Sequence, residues 1–448
     1  MNETLTTNAT TSQVGEALWN PQAHMPTARA QRLVISSGDG AWLTTSTGQR
    51  LLDATASLWH ANVGHGRERI ARAAYDQMRK LETYHTFGRF ANEPALRLAD
   101  RLAALGPIPG AKVMLTSGGS DSVDLACKLA RRHWQLEGRA GKKTILSRHG
   151  AYHGLHAFGT SIAGLEYNRD GYGTDSLVPE TARIATNDID AVSAHLEQIG
   201  AENVAAIIAE PVIGTGGVIG PADGYLEGLA TLARNNDILL IADEVITGFG
   251  RTGTMFASER YGIAPDLVTM AKGITSGYAP LGGVLVAPAV ADRFFAGPAG
   301  GDAPIFRHGL TYAGHATACV VAEANLDVLE EEGLVERAAH LETVLEKAVA
   351  PLGTHDLVDE VRAGAAFMAG VRLRDGISGD AVAAACTASG VLIRTIHDNT
   401  LQICPPFVTT EDEIALIAHT IARALDTYPL GGRPQKAPRG VAHAVITF

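Results

Sequence analysis

The sequence predicts an α/β protein with a large, mostly parallel sheet, followed by a smaller α+β unit. Three observations lead there. Between about 95 and 325, short apolar runs alternate with segments of helical period, the pattern of a sheet covered by helices on both faces. The composition agrees, because 46% hydrophobic residues and 49 glycines suit a large core joined by tight βα turns. After Gly333 the alternation stops and helices separated by short apolar stretches take over.

Residues 1–30 read as a loose arm, with Trp19 and the surroundings of His24 as docking points. The first eleven residues are polar, so no signal peptide is expected and the Asn2 and Asn8 sequons are idle. Residues 31–52 alternate as a small antiparallel meander around Gly38-Asp-Gly40. A glycine-punctuated loop follows, Ser57-Leu-Trp-His-Ala-Asn-Val-Gly-His-Gly66. From Glu68 the period becomes helical, with Ile70, Ala73, Ala74 and Met78 expected on one face.

Strands are expected at 112–116, 143–147, 204–210, 238–245, 267–271 and 283–287. The helix after the first carries Val123, Cys127, Ala130 and Trp134 on one face. Later helices are expected near 318–332, 336–349, 380–388 and 411–426. The last opens with a capping box, Thr410 and Glu413, ahead of the stripe Ile414, Ile417, Ile421 and Leu425. Residues 431–440 read as irregular. The boundaries that result are a large domain at 66–330, a small domain at 331–448, and an N-terminal segment at 1–65 that packs with the small domain.

A net charge of −11 argues against nucleic acid as a partner, since phosphate binding needs clustered Lys and Arg. Cys127, Cys319, Cys386 and Cys404 have no paired short spacing, which fits a reducing compartment without a zinc motif. No uninterrupted apolar run reaches the roughly 18 residues of a membrane span. A cytoplasmic protein is therefore expected.

Chemistry-bearing residues fall at the carboxyl ends of the expected strands, where sites form in such folds. Lys272 ends the run Asp266-Leu-Val-Thr-Met-Ala and is followed at once by glycine. An amine with an apolar approach loses hydration, its pKa falls, and it becomes a nucleophile or forms a Schiff base. Thr116-Ser-Gly-Gly-Ser-Asp-Ser-Val-Asp124 leaves a strand and opens a helix, so its backbone amides suit an anion. It is not a P-loop, because no Gly-Lys-Ser/Thr follows.

Asp243 closes the apolar run Ile238-Leu-Leu-Ile-Ala, where an acid is costly to bury unless it meets a cation. A protonated pyridine nitrogen is one such cation, and an exposed strand tip is the other reading. Val245, two residues on, is expected on the same strand face. Gly248-Phe-Gly-Arg-Thr-Gly253 matches G-x-G-x-x-G, but no helix opens there and no acid follows at the dinucleotide spacing. His149, His153 and His156 are spaced for a helical metal site, yet two glycines between them favour a loop that offers Tyr152 to a flat ligand.

Taken together these parts resemble the class III aminotransferases, the ω-amino-acid branch of the pyridoxal 5′-phosphate (PLP) fold type I enzymes. The resemblance spans nearly the whole chain. It rests on Leu58-Trp59 with Asn-Val-Gly-His-Gly, Gly119-Ser120, Tyr152-His-Gly154 and Ala209-Glu-Pro-Val212. Asp243-Glu-Val245, Thr269-Met-Ala-Lys272, His308-Gly-Leu-Thr311 and a late arginine before Pro405-Pro406 complete it.

The resemblance implies that Lys272 attaches the cofactor and that Asp243 pairs with its pyridine nitrogen. Tyr152 and Val245 hold the ring between them. Gly119 and Ser120 bind the phosphate, with Thr311 coming from the other subunit of a homodimer (or tetramer). Glu210 matches a cofactor-site position, and Trp59, Tyr152 and Arg394 face the substrate. The form of the Trp59 and Thr311 segments points to the amine:pyruvate subgroup, with transamination by a ping-pong cycle between an amine and a keto acid. A 2-oxoglutarate enzyme, a biosynthetic aminotransferase or an aminomutase uses the same cofactor residues. Asp121, Ser122 and Val123 stand where Glu-Ala-Asn is common, and His60 where Cys or Asn is frequent, which bears on amine specificity.

Overall fold

The computed structural model describes residues 15–429. The expected irregular tail at 431–440 and the two sequons lie outside the described residues. The first helix among the described residues is short, Met25–Ala30, within the stretch expected as a loose arm; Pro26 at its start supplies a backbone already set for a helix. Trp19, expected as a docking point, is 81% exposed among the described residues. Strands β1 (Ile35–Asp39), β2 (Trp42–Thr45) and β3 (Arg50–Asp53) form the expected antiparallel meander.

Next come β4 (Lys112–Thr116), β5 (Thr144–Arg148), β6 (Thr181–Ile184), β7 (Val204–Ala209), β8 (Leu239–Asp243), β9 (Leu267–Met270) and β10 (Gly282–Val286). They make one seven-stranded sheet in the order β4-β10-β9-β8-β7-β5-β6. Strand β6 was not expected; it is a half-buried edge strand, too polar to stand out by apolar content. All neighbours are parallel except β10, which runs against both β4 and β9. The connection from β9 to β10 is too short for a parallel crossover, so the chain turns back beside itself. That reversal brings the start of β10, Gly282, opposite Thr116, at the same end of the sheet as the carboxyl ends of its neighbours.

Helices cover both faces. On one side the helix Gly119–Leu136 buries Val123, Cys127, Ala130 and Trp134 against Ile208 and Ile241. On the other, Leu196, Tyr225 and Leu229 pack on Ile207 and Leu240. Every residue of β7 is buried, and its Val204, Ile207 and Ile208 side chains each contribute about 1.5–3 kcal/mol. In the helix Glu68–Lys80, Ile70 is buried but Met78 is 57% exposed, and Gln77 takes the inward place. Seven residues make almost two full turns, whereas eight overshoot by about 80°. The Gln77 amide satisfies itself on the carbonyl of Leu81 at 2.7 Å.

The C-terminal part adds β11 (Val358–Arg362), β12 (Ala369–Leu373), β13 (Val391–Leu392), β14 (Arg394–Ile396) and β15 (Thr400–Ile403). Four of them form an antiparallel sheet, β11-β12-β15-β14, whereas β13 leaves it and pairs in parallel with β3 of the N-terminal meander. The closing helix Glu411–Asp426 has its capping box and its buried stripe in place. Among the described residues no helix is long and apolar enough to cross a membrane.

Candidate active site

At the carboxyl ends of the parallel strands lies a cavity of ≈ 330 Å³. Gly119, Ser120, Tyr152, Glu210, Asp243, Val245 and Lys272 line it, together with His60, His153 and residues 279–281. The last three precede β10, so the reversed strand supplies a wall that a parallel strand would not.

Lys272 follows β9 and opens a single 3₁₀ turn, Lys272–Ile274, with its backbone in the left-handed region at φ +46. Such a conformation costs a non-glycine residue about 1–3 kcal/mol and persists where neighbours over-determine it. Burial dominates its titration. The loss of hydration, with help from Arg394, outweighs the charges of Asp243 and Glu210 and lowers the amine from 10.5 to about 8.

The sign follows. The fold penalises the protonated amine, so this cost is present below pH 8 and disappears as pH rises from 8 towards 10.5. In apo-protein, the reaction of Lys272 with an aldehyde is expected to rise about tenfold per pH unit below the folded pKa and then to level off. The rate is read by absorbance or by peptide labelling. A rate still climbing at pH 10 would mark an ordinary exposed lysine.

Asp243 is the last residue of β8 and is buried. Burial alone would raise its pKa. Hydrogen bonds from His153 at 2.7 Å, Thr269 at 2.9 Å and the Val245 amide at 3.2 Å outweigh that, so the carboxyl is held below its usual value. Val245 is not on the strand, which ends two residues earlier. It sits in the following turn and still lines the cavity. His153 went unassigned in the sequence, where its spacing from His149 and His156 drew attention to metal. No group of side chains suited to a metal is present among the described residues.

The loop expected at 149–156 is a loop, and Tyr152 lines the cavity from it. Burial, then the charges of Asp243 and Glu210, push the Tyr152 phenol up. Glu210 follows β7 and accepts hydrogen bonds from the amides of Tyr152 and Gly214, each at 3.0 Å, which ties the tyrosine loop to the sheet. Its own pKa is raised by burial. Arg148 in turn donates to the Glu210 carbonyl.

Gly118 and Gly119 start the 18-residue helix Gly119–Leu136. A Cβ on Gly119 would stand 2.9 Å from a methyl of Val245, while at Gly118 the same space is open. Residues 117–120 line the cavity, and a helix start leaves its first amides without intrahelical partners, with the dipole in favour of an anion. A helix start fitted for phosphate, a buried ionised carboxylate and an amine of lowered pKa, all around one narrow cavity, match a planar pyridine ring carrying a phosphate tail.

Three expected residues do not line that cavity. Thr311 lies in an exposed turn. Trp59 is 2% exposed, has φ +68, and packs with Val212, Val218, Ile246 and Cys404. Arg394 begins β14, separated from β13 by Ile393 alone. Its guanidinium lies over the Trp59 ring, 5.5 Å from the centroid, and its Nε donates to Gln402. Burial lowers its pKa to about 10, which leaves it fully charged at neutral pH.

The sequence profile of the family described as aminotransferase class-III matches residues 25–425. This chain is a class III aminotransferase. It is similar to the putrescine–pyruvate aminotransferase of Pseudomonas aeruginosa, with 35% identity covering 88% of this chain and 90% of the relative. It is also similar to the diaminobutyrate–2-oxoglutarate transaminase of Halomonas elongata, at 34% identity over 88% and 90% of the two chains. An amine transaminase from an uncultivated Pseudomonas species, solved in its PLP-bound form, superposes with a TM-score of 0.87 at 35% identity. The match covers 92% of this chain and 99% of that one. The class III aminotransferase described here thus has the PLP fold type I, and PLP is its cofactor. The G-x-G-x-x-G stretch is a turn between β8 and the short helix Ala257–Arg260, in keeping with its rejection as a dinucleotide site.

Proposed function

We propose that this aminotransferase moves an amino group from a primary amine or ω-amino acid to pyruvate, giving alanine, in two half-reactions run in one pocket. The observation that carries this reading is the pairing of Arg394 with Trp59. One pocket must accept a carboxylate in one half-reaction and an uncharged carbon chain in the other. A guanidinium clamps a carboxylate through two parallel hydrogen bonds, yet a buried cation left without a partner is costly. The face of Trp59 and the amide oxygen of Gln402 hold Arg394 while no carboxylate is present. The putrescine–pyruvate relative supports pyruvate as the acceptor, and the diaminobutyrate relative supports a second reading with 2-oxoglutarate.

In this reading Lys272 attaches the cofactor and, once released, takes the proton from the amine-bearing carbon. Its lowered pKa suits a base near neutral pH. Bound PLP supplies the electron sink that makes that carbon acidic. Asp243, kept ionised by His153 and Thr269, holds the pyridine nitrogen protonated. Tyr152 and Val245 take the two ring faces, and the amides at Gly119 and Ser120 take the phosphate. Glu210 fixes the Tyr152 loop. The four free, buried cysteines support a cytoplasmic location.

A panel of amine donors against pyruvate and 2-oxoglutarate, with product detection, tests the acceptor. Alanine formation should dominate with pyruvate. Glutamate formation at higher kcat/KM would select the second reading, and a product that retains its amino group would select an aminomutase. Trp59→Ala should widen preference toward bulkier amines while the protein stays yellow. The cavity left behind costs about 3–5 kcal/mol of stability, so the panel belongs at a temperature where the variant is folded. Unchanged selectivity would leave Trp59 a structural aromatic.

Thr311 is exposed and off its own chain's cavity, which supports a homodimer in which it completes the neighbour's phosphate site. Mixed dimers of inactive Lys272→Ala and inactive Thr311→Ala chains should regain activity, because one hybrid site lacks both defects. No recovery after verified subunit exchange would remove Thr311 from the partner's site.

A further inference from the structure

Arg251, in the glycine-rich turn 248–253, has no part in the chemistry above, yet it is fully buried. Its guanidinium meets three neutral oxygens: the carbonyl of Phe367 at 3.0 Å, the carbonyl of Pro405 at 2.8 Å and Asn62 Oδ1 at 2.9 Å. The rings of Phe407 and Phe367 flank it at 4.5 and 5.7 Å. Burial lowers its pKa. A cation placed there is expensive, and charge-assisted bonds to three chain segments at once are the return.

One of those segments leads to the reactive lysine. With Oδ1 held by Arg251, the Asn62 amide nitrogen turns to the carbonyl of Phe249 at 3.0 Å. That nitrogen lies where a Cβ on Gly273 would stand, at 2.5 Å, and Phe249 Cβ lies at 3.0 Å from the same point. Asn62 and Phe249 therefore form a wall against the backbone immediately after Lys272. Asn325 also donates to this backbone, to the Gly273 and Ile274 carbonyls at 2.9 and 3.1 Å. The left-handed backbone at Lys272 is thus held by two asparagines, one of them oriented by Arg251.

We propose that Arg251 is a positioning residue for Lys272, acting through Asn62 to hold the left-handed turn that aims the amine into the cavity. This rests on the reading that Lys272 attaches the cofactor. Arg251→Lys loses the fork that spans three oxygens, and Asn62→Ser keeps a polar group but withdraws the wall. Phe407→Leu removes a ring beside Arg251 and loosens the same core, but keeps both side-chain hydrogen bonds of Asn62 and the bond its own backbone amide gives the Asn62 carbonyl, and so serves as the structural control.

The holoenzymes are compared by the pH midpoint of the visible absorbance of the lysine-bound cofactor, and by denaturation midpoint. Arg251→Lys and Asn62→Ser should each move the absorbance midpoint by about 0.5 pH unit or more. The double variant should move it no further, because both act on one turn. Phe407→Leu should lower the denaturation midpoint alone. Absorbance midpoints at the wild-type value in folded Arg251→Lys and Asn62→Ser would overturn the proposal and leave Arg251 a fastener between segments. If Arg251→Lys does not fold, the milder Asn62→Ser decides by the same criterion. Borohydride labelling of the same samples separates the two levels: label on a lysine other than Lys272 sinks the attachment, whereas label on Lys272 with an unmoved midpoint sinks only the positioning.

Discussion

Lys272→Ala is expected to abolish turnover, by at least about a thousandfold, while the protein folds and still binds cofactor without a covalent link. Two roles fall on one amine in the proposed reaction, attachment and proton transfer, and among the described residues no other lysine lines the cavity. Alanine keeps the Cβ and so leaves the left-handed backbone strain in place, since the φ of +46 is set by the neighbours. Below pH 8 the variant also loses the cost of burying the protonated amine, so the fold should be retained while activity disappears. Borohydride reduction of the wild-type enzyme should leave the cofactor on the peptide that contains Lys272. Label on a different lysine, or substantial activity in the variant, would refute the assignment.

The second large effect is expected at Arg394. Arg394→Ala should raise KM for pyruvate and alanine by the equivalent of roughly 2–3 kcal/mol, the value of lost charge-assisted bonds to a carboxylate. The half-reaction with an uncharged arylalkylamine should stay nearly unchanged, since that substrate never meets the guanidinium. Removal of the cation also unburdens the Trp59 face and Gln402, whose amide oxygen loses its donor. Arg394→Lys is a useful comparison: it keeps the charge but not the two-pronged geometry, and recovers only part of the affinity. Equal losses for charged and uncharged substrates would take Arg394 out of the specificity site. Half-reactions followed by cofactor absorbance separate these outcomes.

Local sequence was enough for six strands of the large sheet, for the main helices and for the residues whose chemistry conflicts with their surroundings. An acid at the end of Ile238-Leu-Leu-Ile-Ala and a lysine at the end of Leu267-Val-Thr-Met-Ala stand out because a charge in an apolar run needs a reason. Both were legible, as were the helix start at Gly119 and the capping box at Thr410, since each depends only on neighbours within a few residues. Three-dimensional packing decided the rest. The reversal of β10, the transfer of β13 to the meander and the edge strand β6 depend on partners far away in the chain, and strand pairing leaves little trace in either partner alone. The choice of Gln77 over Met78 turned on where the helix axis lies against its neighbours. Val245 left the strand because the chain bends at Asp243, whose carboxylate takes the Val245 amide. Arg251 and His153 were invisible as partners for the same reason: their significance is a hydrogen bond across 189 and 90 residues of sequence, which only the closed fold brings within 3 Å.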